Sequence, residues 1–398
     1  MQGQKKSLIT KFLVWRLKYV PNKQFVYVLS ILVGLLSGIA AVAIKNFTYF
    51  IQEALEGNLI EKYHSAFYFI FPILGLIIVY IIFTYFFRNK ITQGIPATLF
   101  AISKKKGFIE RYKMVASIIA APITVGFGGS VGLEGPTVAT GAALSSNLSR
   151  LFHMNQATRT LLISCAAAGA MSSLFKAPIA AIIFAVEVFS LDLTLLSLIP
   201  LLLASLSAIF TSYFFFGDDV LLPFDIKDGF TLNDIPFYIF LGIIAGLVSV
   251  YFTEVYERVQ KFFDKIKSPI NRLLIGGIGI GIMVYFVPSL FGEGFDIINS
   301  LVQGNSGKAI ENNFLNFDTS NIWIIIALLS GLVLLKVIAS CLTFGAGGVG
   351  GIFAPTLFMG SIMGNVIAKI INNIGIFSTP VSESNFTLVG MTGLMAGV

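Results

Sequence analysis

Residues 126–141 read GFGGSVGLEGPTVATG, a single carboxylate set among glycines and followed by a proline. A shift of 219 residues pairs TVGFGGSVGLEGPTVATG (124–141) with TFGAGGVGGIFAPTLFMG (343–360). Eight of these eighteen positions are identical, among them five glycine pairs, Pro136/Pro355 and Thr137/Thr356. Glycine lets the backbone turn tightly and approach a ligand closely. Proline suits the first turn of a helix, where no amide hydrogen is needed, so Pro136 and Pro355 each predict a helix start. The free amides of a helix start carry about half a positive charge and form an anion site wherever water is scarce. Two such starts converging on one spot would hold a small anion through Gly132, Gly135 and Pro136 of one copy and Gly351, Ile352, Phe353, Ala354 and Pro355 of the other. Neither run contains Lys or Arg. The anion is therefore bound firmly enough to shed water and weakly enough to leave, which fast passage requires.

Glu134 fits that chemistry in a particular way. A carboxylate at the helix start is itself an anion of the kind the site accepts, so it can occupy and block the site, or take a proton and swing away. Ionisable groups at membrane depth are functional by default; the alternative is that Glu134 only caps the helix that follows. A further stretch, ITQGIPATL (91–99), places Gln93, Gly94, Ile95 and Pro96 after an apolar run. By itself it reads as an ordinary turn.

The elements that must position these residues belong to a membrane. Of the 398 residues, 56% are hydrophobic and 12% charged, with a mean hydropathy of +0.86, outside the balance of soluble domains. Runs long enough to cross a ~30 Å hydrocarbon core, roughly 20 residues each, fall at 25–45, 66–87, 193–216, 236–253, 270–291 and 322–343. Six spans are thus expected as a minimum. Shorter apolar pieces at 114–125, 137–151, 158–172, 177–190, 353–372 and 385–398, interrupted by Gly, Pro or polar residues, read as half-helices or re-entrant segments buried in protein. The fold class expected is an all-α integral membrane protein with broken and re-entrant helices.

Lys and Arg outnumber Asp and Glu by 27 to 20, a net charge of +7. The basic residues gather in MQGQKKSLITKFLVWRLKYVPNK and in SKKKGFIERYK (103–113), beside apolar spans, the pattern of cytoplasmic loops rather than of a nucleic-acid surface. Before the second glycine run, GKAIENNFLNFDTSN (307–321) lacks that basic excess. The two copies are expected to enter the membrane from opposite sides, as an inverted-topology repeat whose substrate site lies near the midplane. The division that follows is a basic cytoplasmic segment (1–24), a first membrane repeat (25–217), a loop (218–235) and a second repeat (236–398). LVGMTGLMAGV (388–398) matches only the beginning of the element that follows the first glycine run, so a native protein longer than this chain is expected.

Other chemistries find little support. GGSVG (128–132) satisfies the pattern of a nucleophile elbow around Ser130, but that motif needs a strand-to-helix turn and a histidine partner, and His64 and His153 both sit at span edges. A carrier of larger organic anions would want Arg or Lys facing a cavity, and Lys176 and Lys336 are the cations near the motifs. GNSGK (304–308) lacks parts of a phosphate-binding loop. Cys165 and Cys341 each lie in an apolar run, against a disulfide framework or metal cluster. No enzyme activity, metal or cofactor is expected.

Taken together, GSVGLEGPT, GGIFAPTL and QGIP, with FKAPIAAIIFAVE (175–187) between the first two, resemble the signature segments of the CLC chloride channels and proton/chloride antiporters, written GxEGP, GxFxP and GSGIP. The resemblance runs from about residue 25 to the end. It implies a homodimer in the inner (plasma) membrane, multi-pass with its N-terminus cytoplasmic, each subunit carrying chloride or a similar small anion and, in antiporters, protons. It also implies that Glu134 is the gating glutamate and that the amides around Ile352 and Phe353 help hold the central anion. Two departures stand out. Gln93 occupies the position where the family usually offers a serine; its amide can still donate to an anion. Val188 stands where antiporters carry the second glutamate of the proton route, which leans the expectation toward passive conduction or weakly coupled exchange. The neighbouring Glu187 is expected to pair with a backbone or basic group.

Overall fold

A computed structural model describes residues 8–55, 67–87, 94–192, 194–217, 221–223, 232–305, 307, 321–375 and 380–398. The described chain is helical throughout: α1 (Leu8–Tyr19), α2 (Asn22–Leu55), α3 (Phe67–Ile81), α4 (Ile95–Lys104), α5 (Lys113–Gly126), α6 (Glu134–Leu151), α7 (Gln156–Phe175), α8 (Pro178–Phe189), α9 (Leu195–Phe216), α10 (Ile235–Lys265), α11 (Pro269–Phe286), α12 (Phe295–Val302), α13 (Ile322–Gly345), α14 (Phe353–Ile374) and α15 (Glu383–Gly397). A π-helical turn, Ile82–Phe87, prolongs α3. Among the described residues the only extended pairing is an isolated bridge between Gly132 and Gly351.

Eight of the described helices are long and apolar enough to cross a membrane: α2, α3 with its π-turn, α7, α9, α10, α11, α13 and α14. All six expected spans are among them. Two pieces read as half-helices, 158–172 and 353–372, belong instead to full-length helices, α7 and α14. The reason is composition. Small and polar residues such as those of SCAAAGAMSS lower the hydropathy of α7, yet this helix and α14 are mostly buried, and small residues are what closely packed membrane helices use at their contacts. The run expected over 270–291 stops being α-helical at Phe286 and continues as a 3₁₀ turn, Pro288–Leu290; the residue before a proline is pushed out of the helical region. The short elements expected at 114–125, 137–151, 177–190 and 385–398 are α5, α6, α8 and α15.

The helices gather into two compact units. The first comprises Met1–Ala43, Gln93–Ile118 and Thr137–Asp219, the second Ile44–Thr92, Ile119–Pro136 and Val220–Val398. In the first, α7 packs on α9, where the Ser172 hydroxyl donates to the Ser205 carbonyl (2.9 Å) and the Ser212 hydroxyl to the Ser173 carbonyl (2.8 Å). The turn after α4 is pinned by charge: the Lys105 ammonium donates to Glu110 Oε1 (2.6 Å) and holds that carboxyl down to about 2. In the second unit, α10, α14 and α15 enclose a cluster of Leu241, Ala245, Met363, Ile367 and Phe386. Both glycine runs, up to Pro136 in one and throughout in the other, lie in this second unit.

Candidate functional site

The two glycine runs begin alike. α5 ends at Gly126 and α13 at Gly345, residues that the 219-residue shift pairs. Just beyond, the chain turns at Gly128 (φ 94°) and Gly347 (φ 92°), a conformation that a side chain would strain. The amide of Gly128 donates to the Val125 carbonyl (2.9 Å) and that of Gly347 to Phe344 (3.0 Å); Gly129 donates to Thr124 (2.8 Å) and Gly348 to Thr343 (2.9 Å).

The copies then bind each other. Gly132 donates to the Gly351 carbonyl (2.9 Å) and Gly351 to the Gly132 carbonyl (2.8 Å). The Ser130 amide donates to Thr343 Oγ1 (3.2 Å), and the Val349 amide to Thr124 Oγ1 (3.0 Å). Each of these bonds has its twin under the same shift, so a local two-fold axis relates the copies. In a membrane no water completes irregular backbone, and here each copy supplies what the other lacks. The approach leaves no room for side chains: a Cβ on Gly351 would sit 3.0 Å from the Gly135 amide nitrogen. From this bridge α6 and α14 start at Glu134 and Phe353, again shift partners.

Glu134 is 1% exposed, and neither carboxyl oxygen has a hydrogen-bond partner among the described residues. The amides of Glu134 itself and of Ala354 lie close enough to act on its charge. A Cβ on Gly132 would strike both Glu134 Oε2 and the Ala354 amide, which puts this carboxyl beside the opening turn of α14. Gly132 and Ala354 lie beside the Glu134 carboxyl and Gly135 meets Gly351 at the crossing, while Pro136, Ile352, Phe353 and Pro355 flank them along the chain at the two helix starts, so backbone amides are what the start of α14 offers to negative charge.

A second carboxylate, not singled out by the glycine runs, belongs to the same neighbourhood. Glu293 Oε1 accepts from the Leu133 amide (2.9 Å), the residue just before Glu134. Its loop is anchored by Lys336 on α13, a fully buried lysine whose Nζ donates to the Gly292 carbonyl (2.9 Å) and lies 4.7 Å from the centre of the Phe358 ring. The signal was present in the sequence as FGEGF at the end of an apolar span, the same pattern of a carboxylate among glycines that draws attention to Glu134.

The other predicted anion and proton positions lie in the first unit or outside the described residues, whereas Ser130 and Cys341 belong to the second. Gly94, Ile95 and Pro96 open α4, with Gly94 (φ 92°) ahead of it and no side-chain cap; Gln93 and His64 are outside the described residues. Val188 is on α8, half-buried. Glu187, expected to find a partner, is instead exposed in the last turn of that helix with no side-chain partner among the described residues, because this face of α8 is not covered by protein. Ser130 is buried, and its hydroxyl has no hydrogen-bond partner among the described residues. Cys165 and Cys341 are free, buried thiols.

The chain resembles known proteins over most of its length. Positions 74–398 match the family described as voltage gated chloride channel. The chain is 27% identical over 312 residues to a putative chloride channel protein ClcB-like of Ralstonia nicotianae, covering 76% of this chain and 68% of that one. It is 25% identical over 384 residues to an H(+)/Cl(-) exchange transporter, ClcA, of Vibrio cholerae, covering 92% and 77%. Among solved structures, a CLC-type fluoride/proton antiporter superposes with a TM-score of 0.75 at 22% identity, over 94% of this chain and 86% of the other.

Proposed function

This chain belongs to the voltage gated chloride channel, or CLC, family of membrane anion transport proteins, and from that premise we propose that it moves chloride or a similar small anion through a pore whose gate is Glu134. The observation that carries the reading is the Glu134 carboxyl itself, buried, unbonded and beside the amides of Glu134 and Ala354. It stands where a small anion would bind. While ionised it competes for those amides; once protonated it no longer needs them and can swing away, leaving the start of α14 at Ile352, Phe353 and Ala354 and the backbone of Gly132 and Gly135 to hold the anion. The Gln93–Pro96 turn supplies ligands of its own in this reading, and Gln93 in place of serine tunes which anion is preferred. The protein works as a homodimer in the plasma membrane, N-terminus cytoplasmic, on the side of its basic loops.

Protonation removes the blocking charge, so flux rises as pH falls on the side that reaches Glu134. Full-length protein reconstituted in liposomes, with chloride efflux followed across external pH, tests the gate. Glu134→Gln is expected to give flux independent of pH; an unchanged pH profile would overturn the assignment. Val188 cannot carry a proton, which favours passive or weakly coupled flux. The exchange transporter among its relatives favours proton-coupled antiport as the second reading. Chloride and pH electrodes read together under a chloride gradient separate them: protons driven the other way mark an antiporter, chloride alone a channel. Val188→Glu is expected to increase proton movement, and no change would count against the role given to this position.

A further inference from the structure

A cavity of about 480 Å³ in the second unit is lined by Tyr49, Gln52, Tyr68, Ser289, Glu293 and Asp296, among others. Tyr49 and Gln52 lie near the end of α2, at roughly 1.5 Å per residue some 40 Å along that helix from Asn22 and the basic N-terminal segment that precedes it. With that segment cytoplasmic, Tyr49 and Gln52 put this cavity beside the outer end of α2. An acidic chamber is an odd mouth for an anion pathway, since its carboxylates repel the cargo. It is a natural mouth for protons.

Glu293 belongs to both sides of this arrangement. It lines the cavity and is only half-buried, while its Oε1 accepts from the Leu133 amide (2.9 Å), next to the backbone that bears the sealed Glu134 carboxyl. The two carboxyls are close enough to act on one another's charge. We infer that Glu293 is the proton-transfer residue that connects the cavity to Glu134, a role that rests on Glu134 being the gate. The balance is simple. Glu293 Oε2 takes a proton from hydronium in the cavity and becomes a carboxylic acid. The two carboxyls share no hydrogen bond at rest, so a side-chain rotation first brings them within hydrogen-bond reach. Glu293 then passes that proton to the Glu134 carboxylate and returns to a carboxylate, and the neutral Glu134 carboxyl leaves the amides of α14. One proton moves and no other bond changes.

The charged groups around Glu293 come from each element packed near it: Lys45 on α2, Asp296 on α12, Lys336 on α13 and Glu134 on α6. Tyr49 and Tyr68 share the cavity. Lys336 is the positioning residue, since its bond to the Gly292 carbonyl (2.9 Å) holds the Glu293 loop in place. A purely structural Glu293 would need only to accept from Leu133, which a glutamine oxygen does equally well. The proton step needs the carboxyl.

That difference defines the experiment. Full-length protein in chloride-loaded liposomes is subjected to a rapid drop in external pH, and the rise of chloride efflux is followed in time. Glu293→Gln is expected to slow the rise by about a hundredfold, the lower end of what positioned proton transfer contributes, while the final acid flux stays near that of the parent. Glu293→Asp, which keeps a carboxyl but shortens the reach, is expected to fall between the two and guards against a Gln variant that fails to fold. A rise as fast as the parent's in both variants overturns the relay, even if the pH midpoint moves, because a moved midpoint alone needs only the charge. Glu134→Gln run alongside distinguishes the two levels. If it retains acid activation, the gate reading fails and takes the relay with it; if it loses acid activation while both Glu293 variants respond at parental speed, the relay alone fails.

Discussion

The two glycine runs have the same backbone and different work. Each ends a helix, turns at a left-handed glycine, gives a carbonyl and an amide to the other copy and starts a new helix. Under the 219-residue shift, however, Glu134 faces Phe353, Ser117 faces Lys336 and Ala121 faces Ser340. The first copy brings the carboxylate. The second brings the amides beside it, the lysine that anchors the Glu293 loop, and a serine whose hydroxyl donates to the Ser130 carbonyl (2.7 Å) with no twin across the axis. Symmetry solves the problem of irregular backbone away from water, because each copy completes the other. Function enters where symmetry is broken.

The largest effect expected is on transport, from Glu134→Gln, which removes the one charge that distinguishes the two helix starts. Loss of acid activation in the liposome assay checks it, and the slower response of Glu293→Gln sharpens it by acting on speed rather than on the final flux. Next come the glycines at the crossing. A Cβ on Gly351 meets the Gly135 nitrogen at 3.0 Å and its Cα at 3.3 Å, whereas one on Gly135 meets the Gly351 Cα at 3.2 Å and then nothing nearer than 3.6 Å. Gly351→Ala is expected to destabilise by about 1–3 kcal/mol, the range of overpacking, and Gly135→Ala by less; thermal unfolding in detergent gives the order. Equal losses would mean that the backbones separate freely and the bridge is loose.

The smallest effect tests the symmetry itself. Thr124→Val and Thr343→Val each remove one hydroxyl that accepts from the other copy, at Val349 and Ser130. Each is expected to cost about 1 kcal/mol, the lower end of what leaving a buried amide without its acceptor costs. The two losses should agree within roughly 0.5 kcal/mol if the environments are equivalent. A large disparity would show that one copy carries the bridge.

How much of this was legible beforehand follows from the range of each interaction. Hydropathy, the repeat and the glycine–proline punctuation act over a few residues, and they placed the spans, the two helix starts, whose first turns at Glu134 and Phe353 contain Pro136 and Pro355, and Glu134. The same local logic misjudged α7 and α14, whose small and polar residues read as interruptions because hydropathy assumes a lipid neighbour; these helices have protein neighbours instead. It passed over Glu293, whose partner, the Leu133 amide, is 160 residues away.

The amino-acid sequence alone determined that this protein lives in a bilayer, repeats a glycine-rich helix start and sets one carboxylate in the first copy, since each depends on side-chain chemistry and short spacing. Only the tertiary structure decided that the two copies bind one another reciprocally, that Glu134 lies beside the amides of the second helix start, and that Glu293 and Lys336 join them. Those are contacts between residues from 160 to 225 positions apart in number, or 44 for the Lys336 bond to Gly292, and no local pattern specifies which distant backbone groups will meet once water is gone.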